Sequence, residues 1–353
     1  MKLIFGFVGY CAATALGEQQ VLQVQSTIQE GNLLETIHGH QRLSLFSQLI
    51  EERVELASAL TAVDADLTVF APSDEALSSI PGSPSGEEIT AALLYHLVKG
   101  VVTSDSFSNG LLLNTSYAPD KLGGNSQKIR VSAPHGIVLL NGHTHIEESD
   151  VIATNGVIHL TDRVLLFPPS ALTVMAHFPL HYGAYLLALR RGGLVDTVKA
   201  TEGLTIFAPT TLAFKHLGWR VLIYLFSSQG KQHLKEILQY SLCPTLAYSP
   251  DFVPGVVRNL SSLLGDKQLQ IVSELPEEGD DLPLPTVTLV INGVASSVHV
   301  DALTSNGVIH VINAVLLPFK YSDLLNWADE WRHKHHTEAN AIMNDDELLF
   351  LTH

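Results

Sequence analysis

The sequence predicts an α+β protein made of two tandem domains of one kind, and three observations predict it. A strand-like box occurs twice, a hairpin-like box follows each copy, and helical patterns precede each strand box. Leu67-Thr68-Val69-Phe70-Ala71-Pro72-Ser73 recurs as Leu204-Thr205-Ile206-Phe207-Ala208-Pro209-Thr210, an offset of 137 residues. Thr154-Asn155-Gly156-Val157-Ile158-His159 recurs as Ser305-Asn306-Gly307-Val308-Ile309-His310, an offset of 151. Such a repeat is far too long for a solenoid unit, so each copy is a whole domain. The offsets differ by 14 residues, and the acidic, proline-rich stretch Glu274 to Pro285 is the expected home of the extra chain.

The elements follow in chain order. Lys2, the uncharged apolar run Leu3 to Leu16 and the small residues Ala13, Ala15 and Gly17 read as a secretory signal peptide over residues 1–17. The run is too short to span a bilayer. Residues 18–29 are an N-terminal lead, and the first domain takes 30–169. Leu43, Phe46, Leu49 and Ile50 repeat at helical spacing. Leu67 to Ala71 is β-rich and apolar, and Pro72, lacking an N–H, ends the ladder. Ser73 caps a helix whose first turn carries Asp74 and Glu75. Asp150 to Ala153, Asn155-Gly156 and Val157 to Leu160 read as a hairpin, with Asn-Gly supplying the positive φ angles of a type I′ turn. The second domain, 170–319, repeats the plan after a helical pattern ending Arg190-Arg191-Gly192-Gly193. In the remainder, 320–353, Trp327 and Trp331 lie one helical turn apart within a helix spanning 322–335, and an acidic tail follows. Helices clustered before and between strands, closed by a hairpin, specify α+β.

Composition narrows function. Apolar residues make up 46% of the chain, enough for sizeable cores. Thirty-six acidic against 20 basic residues give a net charge of −16, which repels phosphate backbones and argues against nucleic acid as a partner. Two cysteines make no disulfide framework, and removing the signal leaves Cys243 alone, read as a small buried apolar residue. His143 with His145, and His333, His335 and His336, lack a third ligand at a fixing distance, so no metal or other cofactor is expected. Carboxylate pairs such as Glu147-Glu148 are adjacent in sequence and diverge on a strand. Without a nucleophile elbow, a phosphate-binding loop or a His-Glu-x-x-His motif, an enzyme is not expected. Asn114-Thr115-Ser116 and Asn259-Leu260-Ser261 are candidate glycosylation sites. No further apolar run is long enough for a transmembrane helix or a lipid-anchor signal, so no membrane anchor is expected.

The boxes Leu67–Leu77, Val151–Pro168, Leu204–Phe214 and Asp301–Pro318, together with the Tyr95-His96 pair after Ala91-Ala92-Leu93-Leu94, resemble the fasciclin-like domain. The resemblance covers about residues 30 to 318. It implies a β-sandwich or wedge with packed helices, and extracellular adhesion or binding without catalysis. It also makes Tyr95 and His96 candidate binding residues, although Leu238-Gln239-Tyr240-Ser241 reads as loss of the pair in the second domain. Trp327 and Trp331 are candidate partner anchors beside them. Fungal chains with such domains include helpers of laccase-type oxidases in coupling aromatic polyketide pigments. The resemblance therefore implies a secreted accessory or scaffold protein, whose partners are other secreted proteins such as a multicopper oxidase. The alternative is cell–cell or cell–matrix adhesion, with a matrix or cell-surface ligand.

Secreted material is expected to begin after Ala15 or Gly17 and to gain gel mobility on endoglycosidase treatment through glycans at Asn114 and Asn259. N-terminal sequencing that returns Met1, or an unchanged mobility, would contradict these expectations.

Overall fold

The computed structural model describes residues 31–82, 84–133, 137–275, 287–343 and 345. The signal peptide, the lead, the acidic tail apart from Asp345, and most of Glu274–Pro285 lie outside the described residues. The first domain opens with three short helices, α1 (Leu33–Gly39), α2 (Ser44–Glu51) and α3 (Val54–Thr61). Asn32 and Glu35 form a capping box at α1. Strand β1 (Leu67–Pro72) then leads to α4 (Asp74–Ser78), capped by Ser73 as expected, and to α5 (Gly86–His96). Six strands complete the domain: β2 (Leu97–Lys99), β3 (Leu112–Asn114), β4 (Lys128–Ser132), β5 (Leu139–Leu140), β6 (Thr144–Ala153) and β7 (Gly156–Thr161).

The sheet order is β2-β1-β7-β6-β5-β4-β3, with β1 and β7 parallel and the other pairs antiparallel. The sheet curls until Thr115, just past β3, bridges back to Val98 on β2. That curl gives the wedge two cores. Val69 and Ile158 face the helices with Phe46 and Leu60, whereas Phe70 faces the inside of the curl with Tyr95, Ile129 and Leu165. Successive side chains on a strand point to opposite faces, so β1 is buried from Thr68 to Pro72.

The second domain repeats this order with α6 (Ala171–His177), α7 (Pro179–Gly192), α8 (Val195–Ala200), β8 (Leu204–Pro209) and α9 (Thr211–Lys215). There follow α10 (Trp219–Leu225), α11 (Lys231–Tyr240), β9 (Leu242–Cys243), β10 (Arg258–Ser261), β11 (Gln268–Glu274), β12 (Thr288–Ile291), β13 (Ala295–Thr304) and β14 (Gly307–Ile312). Its sheet order is β10-β11-β12-β13-β14-β8-β9. Helices α12 (Tyr321–Lys334) and α13 (His336–Met343) close the described chain. Of these, α12 matches the helix expected over 322–335 within a residue at each end.

Two expectations are corrected. Neither Asn155 nor Gly156 has a positive φ, so the hairpin turn there is not type I′. Gly156 is required by a close approach instead: a Cβ would stand 2.2 Å from the Leu67 carbonyl oxygen on β1, and at Gly307 the same approach to Leu204 is 1.9 Å. The type I′ turns sit one hairpin earlier. Asn141 and Gly142 have φ of 51° and 76°, and Asn292 and Gly293 have 53° and 66°. The second correction concerns the inserted residues. Tyr240 makes the bonds of Tyr95 at an offset of 145, eight more than the strand box, and those eight lie in the stretch that forms α10. The acidic stretch does hold most of the rest: Gln270 to Asn292 spans eleven residues more than Arg130 to Asn141, whose hydrogen bond they repeat, and five fewer residues between Tyr240 and Gln270 bring the net excess to 14.

The two domains keep separate apolar clusters and meet through polar contacts. Gln127 Nε2, buried, donates to the Thr304 carbonyl at 3.0 Å, and the Arg130 guanidinium donates to the carbonyls of Val300 and Asp301. Lys128 Nζ lies 5.0 Å above the Tyr248 ring. Gly203 N donates to Lys121 O at 3.0 Å beside them.

Gly156→Ala is expected to destabilise by about 3 kcal/mol, because the obstructing atom is backbone. Gly142→Ala, where a Cβ meets nothing within 4 Å, is expected to cost about 1 kcal/mol for its positive φ alone. Urea melts of both variants check the order, and equal costs would contradict the close-approach account.

Candidate functional site

The four residues expected to bind a partner occupy three different settings. Tyr95, at 0% exposure, is the penultimate residue of α5 and lies inside the curl of the sheet. Its hydroxyl donates to the Lys128 carbonyl at 3.0 Å and accepts from Asn141 Nδ2 at 2.8 Å. Asn141 is the αL residue of the type I′ turn, and its Oδ1 accepts from Arg130 N at 3.0 Å. Tyr240 and Asn292 reproduce the arrangement at 3.2 and 2.9 Å, so the second domain keeps the tyrosine and departs only at the histidine.

His96, at 1% exposure, is the last residue of α5. Its Nδ1 donates to the Ala92 carbonyl at 2.7 Å, and its Nε2 accepts from Leu165 N at 2.9 Å. Both nitrogens are used in one neutral tautomer, which ties the helix end to the segment after β7. Burial pushes its pKa down to about 4, against a small upward pull from the Ala92 carbonyl. In the second domain Ser241 stands there, and Tyr185 on α7 reaches its hydroxyl at 2.8 Å.

The two tryptophans turn towards the second domain. Trp331 is buried, donating Nε1–H to Gln229 Oε1 at 3.0 Å. Half-buried Trp327 stacks on His233 at 4.2 Å and meets Phe319 edge-on at 5.1 Å. The amphipathic stripe that reads as an anchor for a partner is the helix's own docking face. Tyr95, His96 and Trp331 are buried, and half-buried Trp327 is engaged in intramolecular stacking.

A Ser–Asp–His grouping appears in each domain and is the nearest approach to catalytic geometry. His159 Nε2 donates to the Val102 carbonyl at 2.8 Å, and its Nδ1 accepts from Asp150 N at 3.2 Å. The Asp150 carboxylate instead receives Ser104 N at 2.8 Å and the Ser104 hydroxyl. His310, Asp301 and Ser249 repeat this, with His310 on the Ala247 carbonyl at 2.9 Å. The serine hydroxyl thus faces the carboxylate and no imidazole nitrogen accepts from it, so the grouping has no base for a nucleophile. It stitches a loop to a bulge in which Asp150 and Asp301 take φ of 60° and 59°. Burial lowers the pKa of both histidines, while nearby Asp150 and Asp301 oppose the shift. Cys243 is buried with its pKa raised to about 12, which leaves it inert as a thiol. His143 Nδ1 bonds the Asn141 carbonyl at 2.9 Å, and among the described residues no three metal-binding side chains converge. Asn114 and Asn259 are exposed on β3 and β10, the last strands of their sheets.

Sequence reasoning missed Asn141, Asn292, Asp150 and Asp301 as organising residues. The signal was present: both Asn-Gly pairs and both aspartates recur at the 151-residue offset of the hairpin box. What remains open to solvent on the first domain is an apolar groove of about 760 Å³ between α2, α5 and the segment Val164–Phe167.

The fasciclin domain model matches residues 41–167 and 181–318. The chain belongs to the fasciclin family. It is 27% identical to transforming growth factor-beta-induced protein ig-h3 of Sus scrofa over 81% of this chain and 40% of that protein. It thus spans about two-fifths of the mammalian relative's length. It is 24% identical to aurofusarin biosynthesis cluster protein S of Gibberella zeae, over 80% of this chain and 76% of that one. A solved FAS1 domain pair from the insect cell adhesion molecule fasciclin I matches at 20% identity with a TM-score of 0.41, covering 80% of this chain and 98% of its own. No helix among the described residues is long and apolar enough to cross a membrane.

Unfolding raises the pKa of His96 from about 4 towards about 6.5, so the unfolded chain binds the extra proton. First-domain stability is therefore full above about pH 6.5 and falls as pH drops towards 4, by about 3 kcal/mol from this residue. Urea midpoints at pH 7 and 4.5 are expected to diverge less in His96→Gln than in the parent, and an equal divergence would contradict the assignment.

Proposed function

We propose that this protein is a secreted, non-catalytic accessory protein that assists an extracellular laccase-type oxidase in coupling aromatic polyketide precursors. The observation that carries the reading is the Gibberella zeae relative, which matches over most of both chains and whose name places it in an aurofusarin biosynthesis cluster. Several features support an accessory role. The groups best suited to chemistry (His96, His159, His310 and Cys243) are buried in hydrogen bonds or apolar packing. Two domains joined through buried Gln127 and half-buried Arg130 offer a combined surface to a partner. The apolar leader and two exposed sequons support secretion. An acidic surface disfavours polyanionic partners and suits a protein partner with basic groups.

Deleting the gene in the source organism is expected to leave monomeric aromatic precursors accumulating, with coupled product reduced. Purified protein added to a laccase-type oxidase is expected to raise coupled yield, and alone to turn over nothing. Normal product levels in the deletion strain, with a defect only in cell attachment, would move the assignment to adhesion. Turnover by the protein alone, abolished by a single His→Ala change, would overturn the non-catalytic reading.

A further inference from the structure

The two domains differ in how helices α4 and α5, or α9 and α11, are joined. Seven residues connect α4 to α5, and fifteen connect α9 to α11. The longer connection forms α10, and α12 lies against it: Leu324 and Ala328 share an apolar cluster with Val221 and Leu222. Tyr321 donates its hydroxyl to the carbonyl of Leu217, the counterpart of Ile80 at the 137-residue offset of the strand box. Trp327 stacks on His233, the counterpart of Glu88 at the 145-residue offset of the tyrosines. Leu317, the counterpart of Leu166, packs against the same cluster. The surface beside α11 is thus filled by the chain's own helices.

In the first domain nothing among the described residues fills it. After Phe167 the chain turns through Pro168 and Pro169, and Ser170 caps α6, which packs its Ala171 and Met175 into the second domain's core and leaves the first-domain flank without a counterpart of α12 among the described residues. The groove left behind exposes Leu166 at 64% and Leu45, Ile80 and Phe167 each at 38%. These are large apolar side chains on one continuous surface, the pattern of a binding site. Glu52 and Glu88 line the groove, and neither lysine nor arginine does.

We propose that this groove docks an amphipathic helix of a partner protein, about four turns long like the 14-residue α12, with a Leu/Trp-type face and Lys or Arg on its flanks. The apolar floor sets the face of that helix, and the two glutamates set its charge. The proposal does not rest on the pathway proposed above and survives its failure.

The test uses the full chain and two fluorescent synthetic peptides. One carries the sequence of Phe319–Lys334, and the other the same sequence with Asp323→Lys, Asp329→Lys and Glu330→Lys. The basic peptide is expected to bind at least about tenfold more tightly by fluorescence anisotropy. Leu166→Asp and Leu45→Asp, both at exposed positions, are expected to weaken it at least about tenfold with an unchanged melting temperature. Glu52→Gln with Glu88→Gln is expected to erase the preference between peptides, and Gln preserves the capping box at Ser85. Binding that survives Leu166→Asp unchanged would overturn the proposal, since the peptide would then be displacing α12. So would self-association lost in Leu45→Asp, which makes a second copy the occupant. An apolar dye or aromatic monomer that saturates the groove while neither peptide binds would make it a small-molecule site.

Discussion

One primary amide in each domain holds the fold's long-range contacts in register. Asn155, buried at the tip of the β6–β7 hairpin, accepts from Leu33 N at 2.8 Å. Its Nδ2 donates to the carbonyls of Leu60 and Ala62 at 2.9 and 2.7 Å. A single side chain thus caps the entry of α1, the exit of α3 and the turn itself, over sequence separations of up to 122 residues. Asn306 does the same through Ala171 N and the Val198 carbonyl. Losing such an amide would leave two or three buried backbone groups unpaired at once. Gly156 and Gly307 follow directly, because the pinned hairpin presses β7 and β14 against β1 and β8 with no room for a Cβ. The parallel pairing at the centre of each sheet is therefore a consequence of an Asn-Gly dipeptide acting through hydrogen bonding and size.

A second clamp closes the other end of the wedge. The Tyr95 and Tyr240 hydroxyls join the end of a helix to the type I′ turn and to the neighbouring strand. Burial raises the pKa of Tyr95, so the phenol stays neutral and keeps its proton for the Lys128 carbonyl. Next to this clamp the domains solve one packing problem in two ways. The first pairs Phe46 with His96, ring centroids 6.4 Å apart, and the second pairs Tyr185 with Ser241. Where the imidazole is missing, the longer phenol supplies the polar atom. The Tyr-His signature therefore divides into an invariant clamp and an exchangeable filler.

Periodicity and repetition made the architecture legible. The strand boxes, the Ser73 cap, the α2 pattern and the Trp-bearing helix all lie where the sequence places them, because each depends on neighbours a few residues away. The reasons behind residues were less legible. Asn155-Gly156 carries the signature of a positive-φ turn, yet its glycine answers a steric demand from β1, which lies 89 residues away at Leu67. Trp327 and Trp331 were equally readable as an exposed stripe, because amphipathicity identifies an apolar face without saying what covers it. The Ser104–Asp150–His159 grouping was invisible, since its members come together only through a loop and a bulge. Burial and partner identity are long-range facts, and a single sequence carries them weakly.

Duplication with unequal finishing accounts for how a pair of like domains acquires directionality. Both copies spend their buried histidines and tyrosines on the same internal tasks, so what distinguishes them lies on their surfaces. The second copy has gained eight residues that form α10 and a helix beyond its last strand, and these cover its flank. The first copy lacks both, and its last residues pass straight into α6, so the equivalent flank stays open. Docking through Gln127 and Arg130 then fixes the closed flank relative to the open one. A symmetric pair would present two like surfaces. The described residues leave this flank open on the first copy and covered on the second, and the asymmetry arises from where helices were added while the cores stayed alike.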